Sequence, residues 1–117
     1  MSDNLYFKSA KFESNKSLAE YVFTELKKSN LNPSSPVDSG YMFSISTSID
    51  NVMVDLHLGK NDEESEIPLW QIWPEQRVPF IKKFFGKVDK SPELEAKKIV
   101  ESIVKNIKGV TDVEWDI

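Results

Sequence analysis

The chain has 117 residues, of which 39% are hydrophobic and 29% are charged, with a formal net charge of −4 and no cysteine. This composition is typical of a globular protein, and we expect residues 1–117 to form a single domain. The absence of cysteine excludes disulfides, thiolate zinc sites and cysteine nucleophiles. The negative net charge argues against direct nucleic-acid binding.

The first predicted element is a helix from Ser17 to about Ser29. Ser17 followed by Glu20 fits a capping box, in which each residue hydrogen-bonds the backbone of the other. The helix would bury an apolar stripe at helical spacing, formed by Leu18, Tyr21, Val22 and Leu26. Residues 32–38 are rich in turn formers and are predicted to be a loop.

The segment from Tyr41 to Gly59 predicts a β-hairpin that turns at Asp50 and Asn51. With this turn, apolar or β-branched residues face one another on one side of the hairpin, which specifies the register. The pairs on that side are Ile49–Val52, Thr47–Val54, Ile45–Leu56 and Phe43–Leu58. The other side then pairs Ser48 with Met53, Ser46 with Asp55 and Ser44 with His57.

The second side of the hairpin brings the single histidine of the chain, His57, next to Ser44 and Asp55. These are residue types of a hydrolase, but hydrolysis also requires oxyanion donors, and the N–H groups of a strand are used in the ladder. The chain has no Gly-x-Ser-x-Gly turn. We therefore predict no catalytic residue, cofactor or metal, and assign Asp55 and His57 to a polar face that contacts a partner.

A third strand is predicted from Ile67 to Trp73. Trp70 and Trp73 would leave opposite faces of that strand, so only one of them can enter a one-sided core. The other would face solvent or lie beneath residues 74–90. An exposed tryptophan close to Arg77 is typical of an interaction hot spot, and the choice between the two tryptophans stays open.

Residues 77–87 interleave cations with aromatic residues. This pattern fits a short helix that begins at Pro79 and buries Phe80, Phe84 and Phe85, and an irregular loop is the alternative. The same pattern is found in surfaces for single-stranded nucleic acid or anionic membranes, but we favour the helix.

The last predicted helix has Ser91 as N-cap, Pro92 at the first helical position and Gly109 after its end. The tail then alternates apolar and acidic residues and predicts a short terminal strand, with Val113, Trp115 and Ile117 on one side. The predicted class is α+β: an antiparallel sheet of three to four strands with helices on one face, in the order α-β-β-β-(short α)-α-β.

Acidic residues cluster in two places. Residues 62–66 contain Asp62, Glu63, Glu64 and Glu66, and the tail contains Asp112, Glu114 and Asp116. The spacing does not match a calcium-binding loop, so we interpret these clusters as solvated charge or as a surface for a basic protein partner.

The N-terminal residues lack a basic start and an apolar core, so we expect no signal peptide, and no apolar run approaches about 20 residues. We therefore expect a cytoplasmic protein without a membrane partner.

In size, acidity, absence of cysteine and absence of catalytic motifs, the chain resembles the small acidic α+β immunity proteins of bacterial toxin systems, such as those of contact-dependent growth inhibition. The resemblance implies a non-enzymatic inhibitor that binds a cognate toxin, most concretely a nuclease. It assigns no individual residue. The alternatives are an adaptor or subunit that docks through residues 70–85, and a small hydrolase that uses Ser44, Asp55 and His57.

Overall fold

The computed structural model describes residues 4–78 and 88–115, which form an α+β fold with one six-stranded antiparallel sheet and two helices. The strand order across the sheet is β2-β3-β4-β5-β1-β6. Among the described residues, no helix is long and apolar enough to cross a membrane. In chain order, the elements are β1 (Leu5–Lys8), α1 (Asn15–Lys28), β2 (Val37–Asp38), β3 (Phe43–Ile49), β4 (Val52–Lys60), β5 (Leu69–Gln76), α2 (Ser91–Lys105) and β6 (Thr111–Trp115).

Strands β3 and β4 form the hairpin predicted from the sequence, with the same register from Phe43–Leu58 to Ile49–Val52. Asp50 and Asn51 both have positive φ angles, of 52° and 65°. This backbone is that of a type I′ turn, whose twist matches that of the flanking strands. Asp and Asn tolerate this conformation better than other residues with a β-carbon, which is why the turn falls there.

The expectation of three to four strands is corrected to six, because β1 and β2 are also part of the sheet. β1 lies between β5 and β6 and places Leu5 and Phe7 in the core. Only four residues long, β1 carries little periodicity of its own and is held extended by neighbours distant in sequence. β2 pairs Val37 and Asp38 with the start of β3, within the segment predicted to be a loop.

Strand β5 begins and ends later than the predicted strand of Ile67–Trp73, and it includes Pro74 and Gln76. Pro74 pairs with Leu56 of β4. On the other side of β5, strand β1 pairs only with residues 69–72. Pro74 is tolerated because this second edge of β5 has no partner strand at its position.

The predicted helices are present, but each begins at a different residue. The N-cap of α1 is Ser14 rather than Ser17. The Ser14 side chain accepts from the Ser17 backbone N–H, and the Ser17 hydroxyl oxygen accepts from the Ser14 N–H at 3.0 Å. The capping box is therefore formed by two serines, and Glu20 has no part in it.

Helix α2 begins at Ser91, with Lys90 rather than Ser91 as the N-cap. Asp89 accepts hydrogen bonds from the Ser91 backbone N–H at 2.9 Å and from its hydroxyl at 2.6 Å. The helix ends at Lys105, and Gly109, with a φ of 82°, lies in the turn that leads to β6. The short helix predicted within residues 78–86 lies largely outside the described residues.

Both helices pack on one face of the sheet, α1 mainly on β3 and β4 and α2 mainly on β5 and β4. A single hydrophobic core fills the space between the helices and that face. Its largest fully buried side chains are Trp70, Phe7, Leu5, Leu18, Leu26, Ile45, Leu56, Leu58 and Ile72. The opposite face of the sheet, to which neither helix packs, carries mostly polar residues.

Candidate functional site

The face of the sheet opposite the helices is the candidate site, and we call it the outer face. Residues that pair directly across antiparallel strands point to the same side, so the observed register defines its members. On the three central strands these are Ser44, Ser46 and Ser48 of β3, Met53, Asp55 and His57 of β4, and Gln71, Trp73 and Glu75 of β5.

A chain of hydrogen bonds runs across the outer face through His57. The Ser44 hydroxyl lies 2.9 Å from His57 Nδ1, and Glu75 Oε1 lies 3.1 Å from His57 Nε2. An ionised carboxylate can only accept a hydrogen bond. A neutral His57 therefore carries its proton on Nε2, and Nδ1 accepts from the Ser44 hydroxyl.

Asp55, which was predicted from the sequence to lie with Ser44 and His57, has different partners. Its two carboxylate oxygens accept hydrogen bonds from Arg77 at 2.9 and 2.7 Å, and Oδ1 also accepts from the Ser46 hydroxyl at 2.6 Å. The hydrogen bonds from Arg77 hold the pKa of Asp55 below its ordinary value. Partial burial opposes this shift, and the hydrogen bond from Ser46 and the charge of Arg77 add smaller contributions to it. The predicted trio is thus split between two hydrogen-bonded groups.

The acid that contacts His57 is Glu75, which was not among the residues predicted from the sequence. The arrangement places a serine, an imidazole and a carboxylate in series, the order of groups in a nucleophilic relay. Ser44 nevertheless lies within β3, whose N–H groups face the neighbouring strands β2 and β4. The 540 Å³ cavity near the hairpin turn is lined by residues 50–53, 76–78, 88, 89 and 92, which do not include Ser44.

The two tryptophans of β5 lie on opposite faces, as the alternation of a strand requires. Trp70 is 1% exposed, packs edge-to-face on Phe12 and donates from Nε1 to the Ser9 carbonyl at 3.0 Å. Trp73 lies on the outer face, half-buried, with its ring centroid 5.2 Å from that of His57. Trp70 therefore cannot contact a partner in this fold, and Trp73 is the tryptophan available for one.

The acidic residues 62–66 belong to the loop of residues 61–68 that joins β4 to β5. Asn61 begins this loop and accepts a hydrogen bond from the Glu63 backbone N–H at 2.8 Å. The Asn61 side chain also donates to Gln71 of the outer face at 2.6 Å. The four acids of the loop that we predicted to contact a partner are all exposed: Asp62, Glu63, Glu64 and Glu66.

Two of the C-terminal acids, Asp112 and Glu114, belong to the edge strand β6. Gln71 pairs with Tyr6, and Tyr6 pairs with Glu114, so that these three residues form one row across β5, β1 and β6. Asp112 lies 3.3 Å from Lys8, and Asp112 and Glu114 are exposed. Asp116 lies outside the described residues. Among those described, no cluster of three or more His, Asp or Glu side chains could hold a metal ion.

Comparison of the chain with protein-family models, with curated proteins and with solved structures found no match in any of the three. The function is therefore inferred from the chemistry of the outer face and of the acidic residues beside it. Fold similarity supplies no separate support for any one function.

Proposed function

We propose that this chain is a non-enzymatic protein-binding module that uses its outer face to bind a basic protein, most specifically as an immunity-type inhibitor of a nuclease toxin. The observation that carries the proposal is the position of Trp73. A partly exposed tryptophan lies near the middle of a polar sheet face that neither helix covers. Large amphipathic side chains in such positions are typical binding hot spots.

Charge supports a basic partner. Exposed acids lie at two places beside the outer face, in the loop of residues 62–66 and at Glu114 of the edge strand β6. Acidic residues around a binding surface accelerate encounter with a cationic protein and disfavour partners of the same charge. In this mechanism the acids steer the approach, and Trp73 with its polar neighbours fixes the bound orientation.

The non-enzymatic part of the proposal follows from the setting of Ser44. Acyl transfer requires preorganised donors at the position of the developing oxyanion, usually at a loop or a helix N-terminus. Ser44 is the second residue of β3, and it pairs with Val37 of β2 on one side and with His57 of β4 on the other, so the backbone donors around it face neighbouring strands. The Ser44–His57–Glu75 hydrogen bonds favour hydrolysis as a lesser candidate function. Its test is whether His57→Ala loses any turnover that the wild type shows.

The direct test is capture of a partner by the tagged protein from its native lysate, at low and at high salt. We expect one stoichiometric basic protein, bound more weakly at high salt because exposed charges are screened. Trp73→Ala should abolish capture. The matched control is Glu20→Gln, which removes an exposed acid from α1 and should leave capture intact. Capture that Trp73→Ala leaves unchanged would contradict the proposal.

A second candidate is an adaptor that docks through residues 70–85, which are described here up to Val78. The 540 Å³ cavity favours it, since its lining combines Val52, Met53 and Val78 with Arg77 and other polar residues. A partner held mainly in that cavity would bind through apolar burial and depend little on salt. Salt-independent capture that survives Trp73→Ala but fails in Met53→Asp would favour the adaptor over the inhibitor.

A further inference from the structure

We infer that Trp73, His57 and Glu75 form a receptor site for one arginine side chain of a basic protein, an inference that rests on the proposed function for the identity of the partner. We call these three residues the arginine site. The site itself is defined by the geometry of the isolated chain, so it can be tested without the partner.

The outer face already holds one guanidinium group, that of Arg77. Arg77 donates from Nε and Nη2 to the two oxygens of Asp55, and Nη2 also lies 3.0 Å from the Ser46 hydroxyl. This two-pronged contact uses the fork of a guanidinium, which an ammonium group cannot reproduce. The Asp55–Arg77 pair therefore shows that a carboxylate on this face can accept both prongs of a guanidinium.

Glu75 offers a second carboxylate on the same face, two residues after Trp73 on β5. The Glu75 side chain is 67% exposed. Among the described residues, its carboxylate lies within ion-pair distance of His57 only. A neutral His57 donates one N–H to Oε1, which orients the carboxylate without cancelling its charge. Asp55, by contrast, is 18% exposed and already paired with Arg77.

Trp73 supplies the flat surface that distinguishes arginine from lysine. Trp73 and Glu75 are two residues apart on β5 and leave the same face, and both contact His57. A guanidinium stacked on an indole while it donates to a nearby carboxylate combines a cation–π contact with a charged hydrogen bond. Lysine can make the ion pair but lacks the planar group for stacking, so the site should prefer arginine.

The test is an NMR titration of the ¹⁵N-labelled full chain with N-acetyl-arginine amide at low ionic strength, and in parallel with N-acetyl-lysine amide. We expect a saturable shift of the Trp73 indole N–H signal, with a dissociation constant of roughly 10 mM for the arginine probe. The lysine probe should have a dissociation constant at least about threefold larger than that of the arginine probe. Signals of the buried Trp70 indole should not move.

Two variants and one control assign the shift to the arginine site. Glu75→Gln should weaken binding of the arginine probe about threefold or more. Trp73→Leu, followed through the backbone N–H signals of His57 and Glu75, should remove the preference for arginine over lysine. Glu63→Gln, which removes one exposed acid from the neighbouring loop at the same cost in net charge, should change binding less than about 1.5-fold. Equal effects of Glu75→Gln and Glu63→Gln, or equal binding of both probes, would overturn the inference.

The outcomes also separate this inference from the proposed function. If arginine binds at Trp73 but the lysate yields no basic protein, the arginine site stands and the inhibitor proposal fails. If a basic protein is captured through Trp73 but the arginine probe causes no saturable shift, the outer face binds its partner by other contacts and the arginine site is refuted.

Discussion

Trp70 and Trp73 lie three positions apart on β5 and should respond in opposite ways to substitution. Trp70 is fully buried and packs on Phe12, with ring centroids 5.9 Å apart at an interplanar angle of 82°. Truncation of a buried aromatic residue to alanine costs about 3–5 kcal/mol of unfolding free energy. A domain of this size has about 5–15 kcal/mol in total, so Trp70→Ala would leave the fold marginal.

Trp70→Phe is the sharper perturbation, because it keeps an aromatic ring while removing the indole N–H. That group donates to the carbonyl of Ser9, a residue that is 1% exposed. An unpaired buried carbonyl costs about 1–3 kcal/mol, and the smaller ring leaves unfilled volume in addition. We expect Trp70→Phe to lower the unfolding free energy by about 2–4 kcal/mol.

Trp73→Phe is the matched substitution on the outer face and should cost about 1 kcal/mol or less, because Trp73 is partly exposed. The assay is urea unfolding followed by far-UV circular dichroism, since tryptophan fluorescence changes with either substitution. Partner capture on the same two proteins should show the reverse order, with the larger loss for Trp73→Phe. Equal losses of stability in the two variants would refute the separation of core and binding residues on β5.

Three further predictions concern contacts around the site. Because Arg77 holds the pKa of Asp55 below its ordinary value, ionised Asp55 stabilises the fold, and this contribution should be lost as the pH falls through the folded-state pKa. The stability difference between the wild type and Asp55→Asn, measured by urea unfolding from about pH 7 to about pH 3, should therefore shrink towards low pH; a constant difference contradicts the pairing. Gln76→Leu removes hydrogen bonds to the loop before α2 and to its first turn, and should cost about 1–3 kcal/mol in the same assay, whereas an unchanged value would show that the bonds contribute nothing. Gly59→Ala places a β-carbon against the sulfur of Met42 and should destabilise by about 1–3 kcal/mol, and a loss of equal size in a Met42→Ala background would exclude that clash.

The local parts of the fold were predictable because their determinants are close in sequence. The hairpin needed only the Asp50–Asn51 turn and the alternation on both sides of it, and its register is as predicted. β1 was not predictable in this way. Its residue Leu5 pairs with Ile72 and with Trp115. Both partners are distant in sequence, and the four residues of β1 alone do not indicate either pairing.

The candidate site was predictable to the same extent. Ser44 and His57 could be placed together because both belong to the hairpin. The partners on β5 could not be assigned, because the intervening loop of residues 61–68 fixes no register between β4 and β5. A usable signal was the alternation Trp73-Glu75-Arg77, which follows the period of a strand and places all three residues on one face.

The alternation of β5 also explains why its register is well determined once the sheet has formed. Trp70 and Gln76 face inward, and the Gln76 side chain donates to the Asp89 carbonyl at 2.8 Å while accepting from the Glu93 N–H. A slip by one residue would move Glu75 into the core and expose the indole of Trp70. Burial of an unpaired carboxylate costs more than the sheet could recover from an alternative pairing. The charged residues of the outer face therefore act against misregister, and the same alternation lets Trp73 be changed for binding without disturbing the core.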